Sequence, residues 1–421
     1  MKRLLIITYY WPPTGGSGVQ RWVKFSKYLP QYGWQPVIYT PENPEQIAVD
    51  ESLLGDIPPC AEVLKTRIVE PYALYRKLFR RSGGGEVNPL NSQKKSLAKR
   101  LSLWVRGNLF IPDPRVSWVR PSVRFLEKYL REHPVDAVVT TGPPQSMHLI
   151  GLGLKRRTGV KWIADFRDPW TRMFYYKHLE LSRCADRKHH RLEQTVLDSA
   201  DLVISVSPPV GRDFAAATAT PVRLITNGFD EDDYAADNVP PRHDGKFRIV
   251  HTGLFAADGN PLKLWDALAA ECASDPAFRS RLEIRLAGKT DPQIVSAIES
   301  CGLGGNLVSL GYLPHGECIA EQRNADVLLL PLRREPEYAK VLPGKIFEYL
   351  AAGRPVLGIG DEGGAADEIL REAGVGRMFG WDCGDGLVDY ILGSSAEPEG
   401  VEKFSRRLLT RRLVEELDKL I

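Results

Sequence analysis

Pairs of the type Cys-x-x-Cys are missing from this chain. Its six cysteines, Cys60, Cys184, Cys272, Cys301, Cys318 and Cys383, are scattered, which excludes a disulfide frame or a zinc site built on such pairs, and no metal is assigned. No stretch approaches the ~18 consecutive apolar residues of a membrane span. Lys2 and Arg3 lead into only a short apolar run ending at Pro12 and Pro13, unlike a secretory leader. Charge of one sign is also lacking: the formal net charge of +3 is too small for a chain that binds nucleic acid through its whole surface. Internal repeats and heptads are absent, and only the patch at residues 82–85 is low in complexity. With 43% hydrophobic and 26% charged residues, the composition is that of a cytoplasmic globular protein, and 421 residues exceed what one core organises, so two domains are expected.

Short apolar runs alternate with amphipathic stretches, the rhythm of parallel α/β folds. In a first block, residues 4–8, 36–40, 137–140, 162–164, 202–206 and 222–226 read as strands, with helical patterns at 17–29 and 186–199. In a second, residues 247–251, 282–287, 307–310, 327–330 and 355–359 repeat the scheme. The division predicted is a first Rossmann-like domain at 1–226, a linker at 227–245, a second Rossmann-like domain at 246–400 and a terminal brace helix at 401–421. Two doubly wound sheets of this kind, facing each other across a cleft, would bind ligands at the carboxyl ends of their strands.

After the first strand comes Trp11-Pro12-Pro13-Thr14-Gly15-Gly16-Ser17-Gly18-Val19-Gln20-Arg21. Small residues let backbone approach a ligand, and the helix that follows offers free N–H groups suited to an anion. Gly16 and Gly18 supply the first two glycines of a dinucleotide fingerprint, but Arg21 stands where the third belongs, which argues against a nicotinamide-dependent dehydrogenase. A tight turn without ligand accounts for this loop equally well. The second informative run is Lys340-Val341-Leu342-Pro343-Gly344-Lys345-Ile346-Phe347-Glu348-Tyr349-Leu350-Ala351-Ala352-Gly353-Arg354-Pro355-Val356. Pro343 suits a helix start and Gly353 its end, and Lys345 and Glu348 share one side near the positive end. A cation with a helix N-terminus can hold a diphosphate, while a carboxylate one turn on accepts hydrogen bonds from vicinal hydroxyls. A surface ion pair worth about 0.3 kcal/mol is the plain alternative.

The run from Pro343 to Val356 resembles the donor-binding helix of GT-B nucleotide-sugar glycosyltransferases of the family-4 kind. The loop Gly15, Gly16, Ser17, Gly18, the stretch Thr141-Gly142-Pro143-Pro144-Gln145-Ser146, the stretch Ala164-Asp165-Phe166-Arg167-Asp168-Pro169-Trp170 and Asn227-Gly228-Phe229-Asp230 resemble the same family in the expected order. The resemblance implies an enzyme of hexosyltransferase type. It would transfer a sugar, with retention and without a cofactor or obligatory metal, from a nucleotide-diphosphate sugar, most simply uridine-linked, to a glycan or lipid-linked acceptor. The second domain would hold the donor and the first the acceptor. Glu348 would take the ribose hydroxyls, Lys345 and the helix start at Gly344 the diphosphate, Gly253 and Gly288 would let backbone approach the donor, and Tyr312 would lie in the base-binding loop. Gly15 to Gly18 would form an acceptor or phosphate loop.

Two departures from the family are visible. Its usual Glu eight residues before the position of Glu348 is Lys340 here, and the Arg and Lys that commonly follow the first strand of the second domain are missing. Lys345, with Lys340 or Lys289, is expected to supply the lost positive charge, since two phosphates in a partly dry site need compensation. Asp165, Arg167 and Asp168 cluster at a strand end. They read either as a catalytic group, Asp168 with Arg167 contacting the acceptor hydroxyl or reacting sugar face, or as a structural pair. His251, at a strand end near Gly253, reads as a hydrogen-bonded core histidine, with a place in the donor site as the alternative. Between residues 72 and 131, fourteen Lys or Arg face three Asp or Glu, interleaved with aromatics, so this basic segment suits either an anionic membrane surface, peripheral on the inner face of the cytoplasmic membrane, or solvated helix faces. A nucleotide-sugar epimerase of the same fold and a non-catalytic membrane-associated nucleotide-binding scaffold are the competing functions.

Overall fold

The computed structural model describes residues 1–45, 49–70, 97–173, 176–234 and 242–421. The chain forms two compact units, one of residues Met1–Thr226 with Leu409–Ile421, the other Asn227–Leu408.

In the first unit seven parallel strands, β1 (Lys2–Ile7), β2 (Trp34–Pro41), β3 (Glu62–Thr66), β4 (Ala137–Gly142), β5 (Trp162–Phe166), β6 (Leu202–Ser205) and β7 (Val222–Leu224), lie in the order β3-β2-β1-β4-β5-β6-β7. β1 explains why its sequence is apolar throughout rather than alternating. Leu5 and Ile7 enter one core with Val37, Val138 and Trp162, while Leu4 and Ile6 enter another, across the sheet, with Val19, Trp22 and Ile38. β3 escapes the sequence pattern because it is an edge strand, Glu-Val-Leu-Lys-Thr, that pairs only with β2 and never becomes fully buried.

The second unit repeats the plan with β8 (Phe247–Thr252), β9 (Leu282–Ala287), β10 (Leu307–Gly311), β11 (Val327–Pro331), β12 (Val356–Ile359) and β13 (Gly376–Phe379), ordered β10-β9-β8-β11-β12-β13 and again parallel. Ile249 and Val250 on β8 point into opposite cores. The edge strand β13, Gly-Arg-Met-Phe, is too short and mixed for a periodic signal. Both units are thus doubly wound Rossmann-like sheets. In each, the strand order reverses beside the first strand, between β1 and β4 and between β8 and β11, and ligands of such sheets bind outside the carboxyl ends there.

The last helix starts at Arg406 rather than at residue 401, and Val401–Phe404 forms a 3-10 turn. Leu409, Leu413 and Leu417, one helical turn apart, complete the core that contains Leu4 and Ile6, with Lys2–Asp418 at 2.8 Å and Arg223–Glu416 at 3.0 Å outside it. Where the chain enters and leaves the second unit, Phe229 N–H donates to the Phe404 carbonyl at 3.2 Å and Arg406 N–H to the Phe229 carbonyl at 2.8 Å.

Candidate functional site

In the second unit, Gly253 and Gly288 end β8 and β9 with φ of 101° and 107°, a region side chains avoid. A Cβ on Gly288 would lie 2.4 Å from the Gly253 carbonyl oxygen, so no larger residue fits, and Gly288 N–H donates to the Gly311 carbonyl at 2.6 Å. The ends of β8, β9 and β10 therefore form a side-chain-poor floor. A Cβ on Gly253 would point toward Lys345 Nζ at 3.2 Å, which puts the ammonium directly above that floor.

Lys345 opens the helix Lys345–Ala352. Ile346, Phe347, Tyr349 and Leu350 are buried, leaving Lys345 and Glu348 on the free side. The Tyr349 hydroxyl roots this helix, accepting from Thr252 N–H at 3.0 Å and donating to the Leu329 carbonyl at 3.4 Å. Gly353 (φ 65°) closes it. No side chain caps its start. Ile346 and Phe347 N–H turn back to Pro343 and Gly344 carbonyls, and the Gly344 and Lys345 amides have no partner among the described residues. Lys345 Nζ lies 3.3 Å from His251 Nε2 and 3.4 Å from the Leu254 carbonyl. Burial pulls this ammonium down to about 8, with Glu348 opposing the shift.

Glu348 is held by residues that sequence reasoning missed. Gln322, fully buried on the helix His315–Arg323, donates Nε2 to Glu348 Oε2 at 3.0 Å and to Thr252 Oγ1 at 3.0 Å. The Tyr234 hydroxyl lies 3.2 Å from both Gln322 Oε1 and the Glu348 carbonyl. One carboxylate oxygen of Glu348 thus stays open. Gln322 lies three residues after buried Ile319, a polar residue on an apolar stripe, which was its only sequence signal. Arg333, after β11, was also missed: its Nε donates to Asp258 in the loop after β8 at 2.6 Å, bringing a cation to a loop that has none of its own. Tyr312 follows Gly311 and is 83% exposed, Lys289 is an exposed neighbour of Gly288, and Lys340 is exposed at the end of the 3-10 turn Pro336–Lys340. Contacts thus join Gly253, Gly288, Lys345 and Glu348, with Lys289 and Tyr312 adjoining through the chain.

In the first unit, the helix Ser17–Tyr28 begins at Gly16 (φ 106°) without a side-chain cap. A Cβ on Gly15 would meet Asp50 Cβ at 3.0 Å, and one on Gly18 would meet Arg167 Nη1 at 2.9 Å. Arg167 uses its guanidinium on main-chain carbonyls, Gly18 at 2.8 Å, Gly142 at 3.4 Å and Pro143, and so stitches together the loops after β1, β4 and β5. Asp168 beside it accepts no hydrogen bond among the described residues. Burial pushes its carboxyl up, against the pull of Arg167. Asp165 is different. It is fully buried, burial opposes its charge, and yet Arg21 (Nη2 2.8 Å, Nε 3.1 Å), Trp22 (2.8 Å) and Thr141 (2.9 Å) hold it below the ordinary carboxylate range. The partner is Arg21, which also donates to the Ile225 and Thr226 carbonyls at 2.9 and 2.8 Å. The residue that breaks the glycine fingerprint is therefore a buried tie between β5 and the end of the first unit. The start of the helix Ser146–Thr158 is taken by Asp113, which accepts from Ser146 N–H and Oγ, each at 2.8 Å. Of the basic segment, residues 71–96 lie outside the described residues. No group of three or more His, Cys, Asp or Glu among the described residues could hold a metal ion, and no helix there is long and apolar enough to cross a membrane.

Comparison with known proteins bears on the fold. Residues 80–233 match the family model Glycosyltransferase Family 4, and the two doubly wound Rossmann-like units are those of the GT-B fold. Among solved structures it is similar to the trehalose-6-phosphate synthase OtsA (TM-score 0.63, 12% identity, covering 100% of this chain and 99% of that one). It is also similar to the lipopolysaccharide outer core galactosyltransferase WaaB (0.59, 12%, 100% and 100%). A third similarity is to a putative UDP-N-acetylglucosamine 2-epimerase from Listeria monocytogenes (0.57, 11%, 99% and 96%). No curated protein matches by sequence.

Proposed function

We propose that the chain moves a hexosyl group from a uridine diphosphate sugar to a glycan or lipid-linked acceptor, with retention at the anomeric carbon and without a metal. The observation that carries the reading is the uncapped helix start at Gly344 and Lys345, whose ammonium stands over the Gly253–Gly288 floor with Glu348 one turn further on. Two unpaired amides and one partly buried cation match the charge that collects on a departing diphosphate. The open oxygen of Glu348, fixed by Gln322, suits the two ribose hydroxyls. Lys289 and Tyr312 would reach the donor from the neighbouring strand ends, and Lys340 would add charge.

In this reading the leaving phosphate takes the acceptor proton, so no strong protein base is required. Asp168 contacts the acceptor hydroxyl, Arg167 positions that loop, and Gly15 to Gly18 approach the acceptor. Similarity to WaaB supports a glycan acceptor, and residues 72–131 would hold the protein on anionic lipid at the inner membrane face. Incubation with a panel of nucleotide sugars, with nucleoside diphosphate release as readout, tests the proposal. Release that depends on an added acceptor and survives a metal chelator is expected, and no release from any donor overturns it. Co-sedimentation with anionic vesicles, lost at high salt, tests the membrane contact.

Similarity to the Listeria protein favours one second reading, a nucleotide-sugar epimerase. It would return an isomerised sugar in place of a glycoside, which product analysis in the same assay resolves.

A further inference from the structure

His251 sits at the end of β8 with no solvent exposure, its ring packed on Phe255 at 4.6 Å between centroids. Nδ1 lies 3.0 Å from the Leu329 carbonyl of β11. A carbonyl only accepts and an ammonium only donates, so although the ring also lies against the Leu254 main chain, the form that satisfies both Leu329 and Lys345 carries its proton on Nδ1 and a lone pair on Nε2. That lone pair faces Lys345 Nζ at 3.3 Å, with the Leu254 carbonyl at 3.4 Å as the second acceptor. We infer that His251 is a positioning residue for the donor diphosphate: fixed as one tautomer by Leu329, it takes a hydrogen bond from the Lys345 ammonium and holds it above Gly253. The inference rests on the proposed donor site and adds to it a residue outside that site's phosphate contacts.

Among the described residues, the titratable groups that bear on Lys345 are His251 from β8 and Glu348 from its own helix. Burial and the adjacent ammonium hold His251 far below its ordinary value, so it stays a neutral acceptor throughout the working range. Lys345 is the group that titrates, near 8 when no anion is bound. Two phosphate charges would raise that value, so diphosphate binding takes up a proton around and above pH 8, and affinity falls as pH rises through this region.

The test compares binding of uridine diphosphate and of uridine, by titration calorimetry between pH 7 and 9.5, to the unmodified protein, His251→Leu, His251→Gln and Lys345→Ala. His251→Leu should weaken uridine diphosphate about tenfold at pH 7.5 while leaving uridine unchanged, since one charge-assisted hydrogen bond is lost. His251→Gln, whose amide can donate to Leu329 and accept from Lys345, should recover most of this. The alkaline fall should move to lower pH in His251→Leu, because the ammonium loses its acceptor, and should vanish in Lys345→Ala, along with the dependence of binding enthalpy on buffer. A purely structural role would not move that limb. If His251→Leu does not fold, His251→Asn, too short to reach the ammonium, takes its place. Unchanged affinity for uridine diphosphate, or equal loss for both ligands, overturns the inference and leaves the donor site standing. Failure of the unmodified protein to bind uridine diphosphate removes the donor site itself, and the inference with it.

Discussion

Arg21→Met is the perturbation whose size can be worked out most fully. It removes two hydrogen bonds from Asp165 and two from the Ile225 and Thr226 carbonyls, and it leaves a carboxylate with no solvent exposure whose remaining donors are Trp22 and Thr141. Breaking a buried pair from one side costs about 3–5 kcal/mol. With a urea slope of roughly 2–3 kcal/mol/M, the midpoint of the first unit should fall by about 1–2 M. Tryptophan fluorescence resolves this transition, because Trp22 donates directly to Asp165, and a two-unit chain requires that each transition be fitted separately. The pH dependence gives an independent check. In the unmodified protein Asp165 is held below its ordinary value, so its pairing stabilises above the carboxylate range and is lost as pH falls through the depressed value. Without Arg21, burial pushes the same carboxyl up, the folded state then binds the proton more tightly, and the deficit should shrink between pH 7 and pH 4. Adding Asp165→Asn to Arg21→Met should recover part of the loss, since the amide oxygen still accepts from Trp22 and Thr141. A midpoint shift under about 0.3 M, or a deficit that grows on acidification, refutes the argument.

Glu348→Gln should weaken binding of uridine by about 1.5–3 kcal/mol if charged hydrogen bonds to the ribose are lost, and unchanged affinity by calorimetry would remove that role. Gly288→Ala places a Cβ 2.4 Å from the Gly253 carbonyl at a φ of 107°, so a loss of roughly 1–3 kcal/mol in thermal unfolding of the second unit should accompany weaker diphosphate binding. Because burial raises the Asp168 carboxyl, an ionised Asp168 at the acceptor would make the transfer rate fall with acidification above the usual Asp range, and Asp168→Asn should abolish that limb in a pH–rate profile.

The sheets were legible because their central strands are buried on both faces and read as unbroken apolar runs, Leu4 to Ile7 being the clearest. The edge strands β3 and β13 were not, since an edge strand needs only one partner and tolerates polar residues. The pairing of Lys345 and Glu348 on one helix side followed from their spacing, which local geometry fixes. Gln322, Tyr234 and Arg333 could not be found in this way. Each reaches the site from a different element, and no local pattern records which distant side chains a fold brings together. Arg21 shows the converse: it stood out as a defect in a glycine pattern, and the reason for it lies 144 residues away at Asp165.

The last turns of the chain lend their leucines to a core begun by β1, but they are synthesised only after Asn227–Leu408. During translation the opening half must therefore wait, its groove beneath Leu4 and Ile6 uncovered, while the intervening unit is made and folds. A chaperone that shields that groove, or a circular permutation joining Leu409–Ile421 directly ahead of Met1, would remove the delay.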